Sequence, residues 1–178
     1  MPTRFAAALV AVLLVAPLAR AAVAAPTFVG EHVPDAALVG EGRLRVMLWN
    51  VFDARLEAPD GRYDADAPFA LTLSYLRGLD AHRIVDASIE EMTAQRPVDD
   101  RTLARWRAAL ERVIPDVETG TSITGVRDER GHTRFYRDGE PLGQVEDPAF
   151  TRAFFDIWLG EASSRPVLRD RLLARTSS

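Results

Sequence analysis

Residues 43–57 read RLRVMLWNVFDARLE, fifteen positions with neither glycine nor proline. Counted at a period of two, one face of this stretch is apolar except for Asn50, and the other face is polar at both ends. Valine and aromatic residues cluster at its centre, which favours a strand over a helix. The pattern predicts one long strand, with one face on a core and the other face partly covered.

The rest of the chain alternates between strand-like and helix-like periods, with turn residues between them. Gly40 and Gly42 predict a break before the first strand, and Asp147 followed by Pro148 predicts a helix start. The other predicted elements are a strand at 69–77, helices at 80–95 and 99–114, strands at 121–127, 133–137 and 142–145, and helices at 147–160 and 166–175. This order predicts an α+β fold in which an antiparallel sheet is combined with helices.

The first 24 residues have the three parts of a secretory signal peptide. Arg4 supplies a positive start, residues 5–18 form an apolar run, and Ala22-Val23-Ala24 supplies small residues for cleavage. The apolar run is shorter than the roughly 20 residues that span a bilayer, so we expect removal of the segment rather than stable membrane insertion. The sequence therefore predicts a single domain over residues 25–178 that is periplasmic or secreted.

The composition excludes several kinds of chemistry. All 22 basic residues are arginine, and the chain has no cysteine, which excludes disulfides, thiolate nucleophiles and lysine Schiff bases. His32, His82 and His132 are far apart and show no metal-ligand spacing, so we expect neither a metal nor a cofactor. A formal net charge of −4 makes nucleic acid and anionic membrane surfaces poor candidates as partners.

A few polar residues fall on strand faces that are otherwise apolar. Asn50 is one and Tyr75 is another, and Arg77 shares the face of Tyr75 near the end of its strand. Burial of such groups requires a partner, which is either a hydrogen bond within the core or a ligand in a cleft. The sequence leaves both interpretations open. Asp53 is expected to pair with an arginine, either Arg55 or one on a neighbouring strand.

Five segments together resemble the chalcone isomerase family in its bacterial exported form. In chain order they are VGEGRLR at 39–45, NVFDARLE at 50–57, LTLSYLRG at 71–78, IPDV at 114–117 and FFDIWLGE at 154–161. The last segment resembles the family's F-F-D-x-Y-x-G signature. The order and spacing of the five extend over nearly all of residues 25–178.

The resemblance implies an open-faced β-sandwich, in which helices cover one face of a long antiparallel sheet and a ligand binds between the two layers. The family includes isomerases that close a chalcone to a flavanone, fatty-acid-binding proteins and other non-catalytic members. In its enzymes an arginine after a glycine-rich turn provides positive charge in the cleft, and threonine and tyrosine hydroxyls order water around the substrate.

Carried over to this sequence, the family's arginine matches Arg43, or Arg45 if the gap is placed differently. The strand threonine falls near Asn50, the tyrosine near Ala81, and the asparagine of the following helix near Ser88. Alanine at position 81 lacks the hydroxyl that stabilises the transition state in the enzymes. The resemblance therefore favours a binding protein over an isomerase.

We expect a non-catalytic binder of a small hydrophobic carboxylate such as a fatty acid. The residues predicted to contact this ligand are Arg43, Arg45, Asn50, Tyr75 and Arg77. Two alternatives remain open at this point. One is a chalcone–flavanone isomerase in which Tyr75 replaces the missing hydroxyl. The other is a protein-interaction domain whose cleft is filled by its own side chains and whose partner the sequence does not identify.

Overall fold

A computed structural model describes residues 25–175, so the predicted signal peptide lies outside the described residues. The elements are α1 (Thr27–Gly30), β1 (Ala36–Val46), β2 (Trp49–Pro59), β3 (Phe69–Tyr75), α2 (Ala81–Gln95), α3 (Asp100–Val113), β4 (Ser122–Arg127), β5 (Thr133–Arg137), β6 (Glu140–Val145), α4 (Pro148–Leu159) and α5 (Pro166–Leu172). The six strands form one antiparallel sheet in the order in which they occur in the chain. This confirms the predicted α+β fold with an antiparallel sheet.

The prediction of a single long strand over residues 43–57 is wrong, because this stretch crosses a hairpin. Strands β1 and β2 are connected by a two-residue turn at Met47 and Leu48, and Val46 pairs with Trp49 across it. Met47 has a φ of 53°, in the left-handed region that turns usually fill with glycine or asparagine. Since the turn carries neither residue, the sequence pattern contains no signal for it.

A bulge next to this turn changes which residues of β2 face the core. Leu44 pairs with Phe52, but Arg45 pairs with Asn50, so Val51 is an extra residue on β2. On the side of the bulge away from the turn, the predicted apolar face is correct, and its residues are buried: Phe52, Ala54 and Leu56. Between the turn and the bulge, Asn50 is exposed, so its predicted burial is wrong.

Gly40 and Gly42 were predicted to break the chain before the first strand. This prediction is wrong, because both glycines lie inside β1. A Cβ atom at Gly40 would lie 2.2 Å from the backbone oxygen of Arg171, and one at Gly42 would lie 2.8 Å from Leu168. Both contacted residues belong to α5. The two glycines therefore allow α5 to pack directly on β1.

Helix α4 packs its aromatic residues on the same face of the sheet. Its predicted start is confirmed, because the Asp147 carboxylate accepts hydrogen bonds from the backbone N–H groups of Ala149 and Phe150. Phe155 packs edge-to-face on Phe69 with 4.6 Å between ring centroids. A Cβ atom at Gly125 would lie 3.2 Å from the Phe155 ring, so the small residue in β4 accommodates this large one.

The opposite face of the sheet is largely polar. Hydroxyl pairs cross from β3 to β4, with 2.9 Å between the oxygens of Thr72 and Thr124 and 2.9 Å between those of Ser74 and Ser122. Helix α1 covers only part of this face, through a small cluster around Val29. The main core therefore lies on the other face, between the sheet and helices α2 to α5.

Candidate functional site

A cleft of about 280 Å³ opens between the sheet and helices α2 and α4. Most of its wall is apolar, with a few hydroxyl and charged groups. The sheet contributes Leu44, Val46, Val51, Phe52, Leu73 and Tyr75; helix α2 and the segment before it contribute Leu79, Arg83, Ile84, Ala87, Ser88 and Glu91; and helix α4 with its following loop contributes Ile157, Trp158, Ser164 and Arg165. An apolar cleft with a small number of polar groups is the usual form of a small-molecule site.

Helix α2 packs on α3 and α4, and together with α4 it forms the helical wall of the cleft. Beneath α2 the sheet presents the row Leu44, Phe52 and Tyr75, which are paired across β1, β2 and β3. The Phe52 and Tyr75 rings meet edge-to-face with 5.9 Å between centroids. The β2 bulge adds Val51 to the same wall. Large side chains thus form the floor of the cleft, whereas glycines lie where α4 and α5 pack closely.

Tyr75 is the principal polar group of the sheet wall. Its side chain is 4% exposed, and its hydroxyl makes no hydrogen bond to any of residues 25–175. Burial raises the pKa of the phenol to about 12. At neutral pH the hydroxyl therefore keeps its proton and can donate a hydrogen bond to a ligand, but it cannot act as a base.

Two arginines lie at the edge of the cleft on the helical side. Arg83 has its Nε atom 3.7 Å from an Asp80 carboxylate oxygen. Arg165 forms no salt bridge with any carboxylate in the part of the chain that the structure describes. Its guanidinium is therefore available to a negatively charged ligand group.

A hydrogen bond of 2.8 Å between the Ser164 hydroxyl and the Glu91 carboxylate joins the loop after α4 to helix α2. Both residues line the cleft, so this contact forms part of its wall. Glu91 also brings a negative charge, which disfavours an anionic group at its own position. Among the charged groups that line the cleft, only Arg83 and Arg165 suit a carboxylate.

Of the residues predicted to bind a ligand, the structure places only Tyr75 in the cleft. Leu44 and Val46 face the cleft, so Arg43 and Arg45 point away from it by strand alternation. Arg43 instead lies on the polar face and donates two hydrogen bonds to Asp53, at 2.6 and 2.8 Å. These bonds hold the pKa of the Asp53 carboxyl below its ordinary value, and they confirm the predicted pairing of Asp53 with an arginine of a neighbouring strand.

The remaining predicted residues lie outside the cleft. Asn50 is exposed near the start of β2, opposite Arg45. Arg77 is exposed, and its guanidinium lies 5.4 Å from the centroid of the Trp49 ring. Ala81 begins α2, where its backbone N–H donates to Asp116 at 2.7 Å. Among the positions matched through the family resemblance, Ser88 does line the cleft, with its hydroxyl donating to the Ile84 backbone oxygen at 2.7 Å.

Sequence reasoning missed both arginines at the cleft edge. Arg83 directly precedes Ile84 and lies four residues before Ala87 on α2, so helical periodicity could have placed it beside the apolar stripe. Arg165 lies in the loop before α5, where no periodicity applies.

Residues 25–175 contain neither a metal-ligating cluster nor a helix that could span a membrane. The described histidine, aspartate and glutamate side chains form no group of three or more that could hold a metal ion. Within the same range, every helix is too short or too polar to cross a bilayer.

Comparison with known proteins agrees with this architecture. The family described as chalcone isomerase-like matches residues 53–174. A fatty-acid-binding protein from Arabidopsis thaliana has a similar structure, with a TM-score of 0.62 and 15% sequence identity over 79% of this chain and 87% of that chain. No curated protein sequence matches the chain. The family match spans well over half of the sequence, and the structural match establishes the shared fold. This chain belongs to the chalcone isomerase-like family.

Proposed function

We propose that this protein binds a small amphiphilic carboxylate, such as a fatty acid, and does not catalyse a reaction on it. The observation that carries the proposal is the apolar cleft of about 280 Å³ with Arg165 at its edge, an arginine that forms no salt bridge within residues 25–175. The fold shared with a fatty-acid-binding protein supports the same interpretation.

The apolar tail of such a ligand would lie along Leu73, Ile84 and Trp158. Each methylene group removed from water contributes about 0.8 kcal/mol, so a chain of several carbons suffices for measurable affinity. The volume of about 280 Å³ lies just below the roughly 300–1,000 Å³ found for ligand pockets. We therefore expect a ligand of medium chain length rather than a long or branched lipid.

The Arg165 guanidinium and the Tyr75 hydroxyl can receive the polar end of the ligand, whereas the Arg83 guanidinium already lies 3.7 Å from the Asp80 carboxylate. Of the first two groups only Arg165 supplies a positive charge, because the Tyr75 phenol is neutral at pH 7. A preference for a carboxylate over an alcohol of the same length should therefore depend on Arg165. A hydrogen bond to a charged group contributes about 1.5–3 kcal/mol, which corresponds to more than a tenfold change in affinity.

Calorimetric titration with decanoate and with decanol tests this assignment. Arg165→Gln should weaken decanoate binding by about tenfold and leave decanol binding unchanged. Arg43→Gln is the matched control, since Arg43 lies on the polar face of the sheet and should affect neither ligand. If Arg43→Gln weakened decanoate binding and Arg165→Gln did not, the site would have been assigned to the wrong face. If neither decanoate nor decanol bound, the proposed function would be wrong.

One observation favours a second candidate, the isomerase. Tyr75 lines the cleft and its hydroxyl has no hydrogen-bond partner among residues 25–175, so it could polarise a ligand carbonyl. Against this, Ala81 supplies no hydroxyl at the position matched to the family's tyrosine. An assay of chalcone cyclisation, monitored through the loss of enone absorbance, distinguishes the isomerase from the binding protein. If the protein cyclises the chalcone faster than the uncatalysed rate, and if Tyr75→Phe lowers this turnover, the protein is an isomerase and the binding proposal is wrong.

The interaction-domain alternative predicted a cleft filled by the protein's own side chains. The open volume beneath α2 gives it no support. It would regain support if solvent extracts of the purified protein contained no amphiphile and no test ligand bound.

Export is part of the same proposal. It is supported by Arg4, the apolar run at 5–18 and the small residues at 22–24. The expected mature chain begins at residue 25. Intact-mass measurement on protein recovered from the periplasm should show this chain, and a mass that still includes residues 1–24 would contradict export by cleavage.

A further inference from the structure

The β1–β2 hairpin ends in four consecutive exposed apolar residues, which we call the hairpin tip (Val46, Met47, Leu48 and Trp49). Their exposed fractions are 38%, 91%, 88% and 65% in that order. Across residues 25–175 only two other large hydrophobic residues, Leu38 and Val167, are exposed. The tip is thus a local concentration of apolar surface and not part of a generally apolar exterior.

The chain also forms this tip at a cost in backbone energy. Met47 has a φ of 53°, a left-handed backbone conformation that is less stable for a residue with a side chain. Glycine or asparagine would remove most of this cost and is usual in two-residue turns. A large exposed apolar residue in a strained position is unfavourable for folding, which points to a function for the side chain.

The charges next to the tip are positive. Arg45 directly precedes the tip, whereas Arg43, two residues further back, is paired with Asp53. Arg77 from the end of β3 adds a guanidinium over the Trp49 ring, 5.4 Å from its centroid. Within residues 25–175, neither Arg45 nor Arg77 forms a salt bridge. The tip therefore combines an apolar end with unpaired positive charge just behind it.

We infer that the hairpin tip inserts reversibly into the surface of an anionic lipid bilayer. Tryptophan and arginine are suited to the head-group level of a membrane, where an apolar body meets a polar and negatively charged layer. A protein partner fits less well, because a stable interface buries about 800 Å² on each side and a two-residue turn cannot supply that area. The net charge of −4 does not oppose local binding, since salt screens charges more than about 8–10 Å away.

The position of the tip gives this docking a consequence for the cleft. Val46 belongs to the tip and also lines the cleft, and Val51 lines the cleft from the bulge just behind the tip. Insertion of the tip would therefore hold the entrance of the cleft at the membrane, from which an amphiphile could enter directly. The docking itself does not depend on the proposed ligand, because Met47, Leu48 and Trp49 do not line the cavity.

Quenching of Trp49 by brominated lipids tests the inference in the full chain without added ligand. Trp106 and Trp158 are buried, and residues 1–24 contain no tryptophan, so quenching reports the tip even if another segment also binds vesicles. With vesicles of brominated phosphatidylcholine and phosphatidylglycerol, we expect quenching that disappears in Trp49→Phe. With phosphatidylcholine alone, we expect at least about fivefold weaker binding, because each basic residue near an anionic surface contributes about 1 kcal/mol.

Met47→Ser/Leu48→Ser keeps the fluorophore and should weaken binding at least about tenfold through the loss of buried apolar area. The matched control is Leu38→Ser, which removes an exposed leucine about 26 Å away along β1 at roughly 3.3 Å per residue. It should bind as the unmodified protein does. If the protein bound vesicles but Trp49 stayed unquenched, the inference would be overturned. It would also be overturned if Trp49 fluorescence shifted to the blue with rising protein concentration in the absence of vesicles, because the tip would then pack against another copy of the protein. Because decanoate titration is measured separately, loss of one activity does not imply loss of the other.

Discussion

At the scale of single residues, Met47 shows most clearly where a favourable local pattern and the structure diverge. The alternation of residues 43–57 continues through Met47, but the backbone reverses there with a φ of 53°. Nothing in a methionine side chain favours this conformation. The turn is therefore maintained by the pairing of the flanking strands, from Val46 with Trp49 onward.

Met47→Gly should raise the free energy of unfolding by about 0.5–1 kcal/mol, because glycine adopts a positive φ without the steric cost of a side chain. Leu48→Gly is the matched control. Leu48 is as exposed as Met47 but has no positive φ, so glycine there should lower stability. Urea denaturation of the three proteins measures both changes. Equal effects of the two substitutions would show that Met47 is not strained.

Part of the site could be predicted at this scale. Tyr75 was identified from its position on an apolar strand face, and the structure places it in the cleft. Arg43 and Arg45 were assigned through the family resemblance, but strand alternation turns them away from the cleft. Arg165 carries no pattern at all, because it lies in a loop whose path depends on tertiary contacts.

Asp128 provides a test of pH dependence. Burial alone would raise the pKa of its carboxyl, but hydrogen bonds from the backbone N–H groups of His132 and Arg130 and from Arg134 hold it below the ordinary value. A carboxyl with a lowered folded-state pKa stabilises the protein above its unfolded pKa of about 3.9, and this stability is lost as the pH falls through the folded value.

Asp128→Asn should therefore cost about 1–3 kcal/mol at pH 7, where the charged hydrogen bond to Arg134 is lost. The difference from the unmodified protein should stay constant down to about pH 4 and shrink below it. Asp60→Asn, at an exposed carboxylate, is the control and should cost little at pH 7. A difference that grows on acidification would contradict the account of Asp128.

At the scale of elements, the sequence identified β3, the meander of β4 to β6, and all helices from α2 to α5 to within a few residues. These elements carry strong signals, such as the Asp99 and Asp147 caps that accept backbone hydrogen bonds. The β1–β2 hairpin was missed because its turn lacks turn residues. Gly40 and Gly42 were misinterpreted because a glycine needed for close packing resembles one that ends a strand.

Gly40→Ala tests the packing of α5 on β1. The added Cβ would lie 2.2 Å from the Arg171 backbone oxygen and 2.5 Å from that of Leu172, so helix and strand must separate. Overpacking of this kind costs about 1–3 kcal/mol. Gly30→Ala is the control, since no atom lies within 4 Å of its added Cβ and its φ is not positive. Thermal denaturation should show a lower Tm for Gly40→Ala only, and equal Tm values would mean that α5 does not contact β1 closely.

At the scale of the whole molecule, the family resemblance correctly indicated a sheet covered on one face by helices. It also placed the ligand between the two layers, but it did not identify most of the residues that line the open volume there. That volume is lined by separate elements: the row Leu44, Phe52 and Tyr75 on the sheet, and side chains of α2 and α4 on the helical side. Because these elements are distant in the chain, no single stretch of sequence encodes the volume. The central claim is that this volume is the ligand site.

Calorimetric titration of decanoate into two variants of α2 tests this claim most directly. Ala87 lines the cleft, so Ala87→Phe should fill it and weaken binding at least about tenfold, since several methylene groups of the ligand lose their burial. Ala94 is an exposed residue of the same helix that does not line the cleft, so Ala94→Phe should bind decanoate as the unmodified protein does. Equal affinity in the Ala87→Phe and Ala94→Phe variants would contradict the assignment of the ligand to this cleft.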